Sequence, residues 1–268
     1  MDGTRPLGTE PGVAAGARAA DRPGVVVRLW SWATAPQAYP PSAADLRTVD
    51  VLGVALPIRA TLAILFVSIV TLLDHAGAFE RWFWDGTGGD PGLLRARAIS
   101  RAVVLGLGSL AMIVLVFRDH PRRYGVRLGD WRAGIVIGLT GAALMTPVVF
   151  AVGLLPSFRD YYVGAATASP IDVINTTGIE VIPAELFFRG LLMFSLIRVM
   201  GPLGIVVAQL PFAFGHIGKP EIETLSTLFG GFLYGWLDWR TGSVLWSGLT
   251  HTYILSLAIL VSGALATG

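Results

Sequence analysis

The sequence has no cysteine and little charge. With zero cysteines in 268 residues, disulfides, thiolate metal sites and a cysteine nucleophile are all excluded. Charged residues make up 14% of the chain, well short of the roughly 25% usual in soluble globular domains, which argues against a soluble enzyme of this length. Lysine is almost missing: 19 of the 20 basic residues are arginine. The arginines gather between apolar runs rather than forming a nucleic-acid face, so no nucleic-acid partner is expected. What is abundant is apolar side chain, at 53% of residues with a mean hydropathy of +0.65. That composition points to an integral membrane protein whose solvent is mostly lipid.

Residues 1–50 are rich in Ala, Pro, Gly, Arg and Asp and lack an apolar run long enough for a secretory signal. They read as a disordered tail, with Val25–Trp32 as a stretch able to lie on a membrane surface. Residues 51–268 read as the membrane domain, an all-α bundle of about seven transmembrane helices. The expected spans are Val51–Leu73, Ala102–Phe117, Ala133–Ser157, Ile171–Val199, Pro202–His216, Glu221–Trp239 and Thr241–Gly268. Twelve Arg and Lys residues fall on the side of the N-terminus and six on the other, which places the N-terminus in the cytoplasm. Gly134 with Gly138, and Gly231 with Gly235, have the spacing that lets helix backbones approach closely, here within one chain.

Charged groups inside a span are costly and point to function. The fourth expected span concentrates them in Glu180-Val-Ile-Pro-Ala-Glu185-Leu-Phe-Phe-Arg189-Gly190. Glu185 and Arg189 are four apart, so they share a helix face and can pair, either as a structural ion pair or as part of a site. Of the four histidines, His75 and His120 lie in charged loops, while His216 and His251 lie in apolar surroundings. Helices four, five and seven can therefore converge on one pocket holding two imidazoles and a carboxylate. Such a set suits zinc with an open position for water, or direct activation of water with Glu185 as general base.

Ala184-Glu185-Leu-Phe-Phe-Arg189-Gly190, Phe212-x-x-x-His216 and His251 resemble the three motifs of the CAAX-protease and bacteriocin-processing (CPBP, or Abi) family. The resemblance covers about residues 125–265. It implies a helical membrane bundle, an intramembrane endopeptidase using activated water, and catalytic roles for Glu185, Arg189, His216 and His251. It also implies zinc among the possible cofactors and a membrane-associated peptide substrate, prenylated in part of the family. Two positions depart from the pattern. The family's first glutamate, usually assigned to water activation, is Ala184 here, and the asparagine four residues after the last histidine is Leu255. Glu180, one turn before Ala184, and Glu223, at the start of the sixth span, are the candidate substitutes. Glu223 has a competing reading as an ordinary helix-start carboxylate. The alternative to a protease is an inactive scaffold or immunity factor from the same family. A small transporter has only the intramembrane charges in its favour. Rhomboid-type Gly-x-Ser-Gly, presenilin-type Gly-x-Gly-Asp within a span and His-Glu-x-x-His are all missing.

Overall fold

In the computed structural model, residues 23–35 and 37–267 are described. The part of the expected disordered tail in residues 1–22 lies outside them. The chain divides into two compact units at residue 35. In the first, Val25–Ala33 forms helix α1, with Val25, Val26, Val27, Leu29 and Trp30 exposed.

The second unit opens with a hairpin of two antiparallel strands, β1 (Thr48–Val51) and β2 (Val54–Pro57). It runs straight into α2 (Ile58–His75). Helix α3 (Gly89–Val116) follows and is π-helical over Ala102–Leu107 and Met112–Val116. Asp130 caps α4 (Trp131–Gly153) by accepting the Ala133 N–H. Pro156 starts the short α5 (Pro156–Tyr162). Helix α6 is continuous over 170–200. It begins at Pro170 behind a Ser169 cap, is α-helical through Glu185, π-helical over Leu186–Met193 and α-helical again over Phe194–Met200. Pro183, which has no N–H to donate, lies just before this widened stretch. Then come α7 (Leu203–Phe214), α8 (Glu221–Thr241) and α9 (Leu245–Thr267). Gly242 ends α8 at φ 69°, a conformation glycine adopts without strain.

Helix α6 forms the centre. Every residue from Glu185 to Arg198 is buried. Phe187, Leu191, Leu192 and Phe194 pack in one cluster with Ala63 and Val67 of α2, Ile113 of α3 and Phe212 of α7. The outer faces stay apolar, with Leu65 and Leu72 of α2, Leu139 and Leu144 of α4, and Phe229 of α8 exposed. In water these would be a liability; in a bilayer they are the lipid contact.

An all-α membrane bundle is what the chain builds; its helices do not by themselves confirm seven spans. Among the described residues, four helices are long and apolar enough to cross a membrane: Ile58–His75, Gly89–Val116, Trp131–Gly153 and Leu245–Leu265. The fourth expected span, α6, carries Asp172, Glu180, Glu185, Arg189 and Arg198, and α7 is a short helix. The first expected span also starts late. Leu52 and Gly53, at φ 55° and 82°, reverse the chain, so residues 51–57 belong to the hairpin rather than a helix. Residues 37–50 are folded as well. Asp45 is buried, bonded to Arg59 and Arg123, and the Tyr39 hydroxyl donates to the Trp239 carbonyl. Helix α3 starts at Gly89 and not Ala102, because its first turns pair their arginines inward: Arg97 with Glu80 and Arg101 with Asp74.

Candidate active site

The centre of α6 carries a buried polar chain that reaches to α9. Glu185 and Arg189 are fully buried, with Oε1 and Nη1 3.4 Å apart across one turn. Arg189 also donates from Nη2 to Gln209 Oε1 at 3.1 Å and to the Gly231 carbonyl at 3.4 Å. Its guanidinium lies 3.7 Å from the centre of the Phe212 ring, a contact that is strong where water is excluded. The close approach of α8 at this point depends on glycine, since a Cβ on Gly231 would strike Gln209. The other three members of the two glycine pairs also pack within the chain: Gly134 on Trp246, Gly138 on Thr250 and Gly235 on Ile205.

From α9, His251 Nδ1 lies 2.8 Å from Glu185 Oε1. Tyr234 of α8 stacks on the imidazole at a centroid distance of 4.9 Å. At the end of α7, His216 Nδ1 donates to the Phe212 carbonyl at 2.9 Å. A carboxylate or carbonyl on Nδ1 assigns the proton to that nitrogen and leaves Nε2 with a lone pair. Both rings line a small recess of about 50 Å³ together with Glu180, Ala184 and Leu255. The recess adjoins a cavity of about 420 Å³, with Asp74, Arg101, Glu180, Lys219 and Leu255 common to both walls.

His216, His251 and Glu180 are thus brought to one recess. Glu185 is not in its wall; it touches the recess through His251. Arg189 lies one layer further back. Glu223 is held elsewhere, accepting from the Tyr162 hydroxyl and from Lys219 Nζ, both at 2.7 Å. Glu221 and Glu223 sit in the first turn of α8, as carboxylates at a helix start do. Ala184 and Leu255 face the recess where the family pattern has a glutamate and an asparagine.

Sequence reasoning missed two elements of this site. Arg101 binds Glu180 through Nη1 and Asp74 Oδ2 through Nη2, the latter at 2.8 Å, so one guanidinium clamps two carboxylates beside the histidines. The hint was an arginine adjoining the apolar run at Ala102, read there as a loop. Asp238 of α8, wholly buried, accepts from the Ser247 hydroxyl at 2.8 Å; a carboxylate within a span expected to be apolar was its signal. As for zinc, among the described residues no three His, Asp or Glu side chains come together to hold a metal. Glu185 meets His251 Nδ1 through Oε1.

Residues 166–256 match the family model described as type II CAAX prenyl endopeptidase, Rce1-like. The match covers about a third of the chain and contains all three motifs from Ala184 to Leu255, in line with the CPBP resemblance. No curated protein and no solved structure matches the chain.

Proposed function

We propose that this chain, whose residues 166–256 carry the type II CAAX prenyl endopeptidase pattern, cuts a peptide bond in a membrane-delivered substrate by activated water. A prenylated C-terminal peptide is the substrate class we favour, and a cytoplasmic N-terminus is the orientation. The observation that carries the reading is the Glu185–His251 pair at the edge of the recess.

In this scheme His251 is the base. Its Nε2 takes a proton from water as the oxygen attacks the scissile carbonyl. The imidazolium that forms is stabilised by the Glu185 carboxylate on Nδ1, and the proton then passes to the leaving amine. Glu185 is therefore a positioning residue, and Arg189 keeps it ionised in a dry interior. His216 presents a second neutral imidazole that holds the water. Arg101 and Lys219 are the positive charges in the wall for the oxyanion that develops.

The test is cleavage of a farnesylated reporter peptide by the protein in proteoliposomes. We expect cleavage by the wild type and a loss of about 100-fold or more with His251→Ala, the scale of general-base catalysis. Equal rates for the two proteins would sink the reading. One observation favours the inactive alternative: Ala184 and Leu255 occupy the recess wall and Arg101 clamps both nearby carboxylates. On that reading the reporter is bound but left uncut by every variant.

A further inference from the structure

We propose that the β1–β2 hairpin is a membrane-interface anchor whose apolar face lies at the headgroup–acyl boundary, with Leu52 as its tip. The register puts Val49 opposite Leu56 and Val51 opposite Val54, which places these four apolar side chains on one face. Thr48, Asp50, Ala55 and Pro57 share the other face. The apolar face is uncovered: Val49, Val51 and Val54 are each exposed by 45% or more, and Leu52 by 99%. A lone two-stranded hairpin is marginal in water, so an uncovered apolar face on one needs a partner.

The position of the hairpin selects lipid as that partner. No linker separates Pro57 of β2 from Ile58 of α2, and the Ile58 N–H donates to the Arg47 carbonyl at the hairpin base. Helix α2 has 18 residues, a length of about 27 Å. That is close to the roughly 30 Å of a bilayer's hydrocarbon, so Ile58 stands near the hydrocarbon edge. Arg59 supports the same level, because its Nη2 donates to the carbonyl of Phe117, one residue beyond the end of α3. The start of one span and the end of another therefore meet beneath the hairpin. A four-residue strand is about 13 Å long, more than the roughly 5–8 Å of one interfacial layer, so the hairpin reaches its place at the headgroup–acyl boundary by lying along the membrane surface.

The turn itself adds an argument. Leu52 and Gly53 both have positive φ, a turn that ordinarily takes Asn-Gly or Asp-Gly. A leucine bears a steric penalty in that conformation and would lose nothing by being polar if its side chain faced water. The turn is kept by Asp50, whose Oδ1 accepts the Gly53 N–H at 3.0 Å from the polar face.

The chain has no cysteine, so Leu52→Cys, Val54→Cys and Ala55→Cys each offer one site for a nitroxide label. In proteoliposomes, collision with oxygen reports lipid and collision with a water-soluble nickel chelate reports water. We expect oxygen to dominate at 52 and 54 and nickel at 55. Nickel dominating at 52 and 54 would overturn the proposal. So would spin–spin broadening at 52 that disappears on dilution with unlabelled protein, since a second copy would then cover the face.

Discussion

Glu185 and His251 lie 66 positions apart in the chain and 2.8 Å apart in space, the carboxylate wholly buried and the imidazole at the edge of a recess. This order of depth matters chemically. A carboxylate that no substrate can reach acts only through the ring it holds, by fixing its tautomer and by balancing the charge when the ring is protonated. The same carboxylate also faces Arg189, so one residue links the catalytic proposal to the stability of the core.

Glu185→Gln is therefore expected to act twice. Losing one partner of a buried ion pair leaves Arg189 uncompensated, at a cost of about 3 kcal/mol. His251 at the same time loses its charge balance. We expect a lower thermal midpoint in detergent together with a fall in kcat of about 100-fold at nearly unchanged KM. His216→Ala removes a hydrogen bond to the Phe212 carbonyl and a ring contact with Phe212 at 4.6 Å but no ion pair, so it should lower activity with a smaller change in midpoint than Glu185→Gln. An unchanged kcat for Glu185→Gln would remove Glu185 from the mechanism.

Ala184→Glu restores the family's first glutamate in the recess wall. Arg101, already in that wall, offers the new carboxylate a counter-charge. If water activation is limited by the missing carboxylate, cleavage of the reporter peptide should rise about tenfold or more. An unchanged rate in a protein of unchanged stability would show that the site does not use a carboxylate there.

The histidines, Glu185 and Arg189 were legible in the sequence because intramembrane charge and apolar histidine are rare and costly. Their depth was not legible. Helical spacing assigns Glu185 and Arg189 to one face, but whether that face meets a cavity or another helix depends on α8 and α9. The hairpin was hidden for a related reason: in Val51–Leu73 an apolar strand and an apolar helix join without a polar break, and only Leu52-Gly53 marks the turn. Arg101 was misplaced because its partners, Asp74 and Glu180, are far away in sequence, and unpaired arginines read as loop.

Metal analysis is a direct check on the ligand geometry. Among the described residues no three His, Asp or Glu side chains group to hold a metal, and the carboxylates nearest the two imidazoles are already engaged, Glu185 by His251 and Arg189, Glu180 and Asp74 by Arg101. We expect purified protein to carry well below one zinc per chain and its thermal midpoint to be insensitive to a chelator. One zinc per chain, lost in a His216→Ala/His251→Ala variant, would overturn that geometry and favour a metallopeptidase.

Asp45 predicts a pH dependence at the base of the hairpin. Burial opposes its charge, but hydrogen bonds from Ser42, Arg59 and Arg123 prevail and hold its carboxyl below the usual carboxylate range. A carboxyl depressed in the folded state contributes its full stability above the unfolded value of about 3.9 and loses it as pH falls toward the folded value. Asp45→Asn should thus cost about 2 kcal/mol at neutral pH, with the gap to wild type narrowing below about pH 4. A gap of equal size at neutral pH and at about pH 3 would contradict this.

The glycines separate close packing from a dimer seam. A Cβ on Gly134 would fall within the Trp246 indole, whereas one on Gly230 would meet nothing within 4 Å. Gly134→Ala should therefore cost about 1–3 kcal/mol by forcing α4 and α9 apart. Gly230→Ala, in the same bundle, should be neutral or stabilising by up to about 1 kcal/mol, because alanine is the better helix former. Thermal midpoints of the two variants in detergent decide the matter. A Gly134→Ala protein that keeps its midpoint but changes oligomeric state would move that contact from inside the chain to between chains, since the α4–α9 packing would then not depend on the missing side chain.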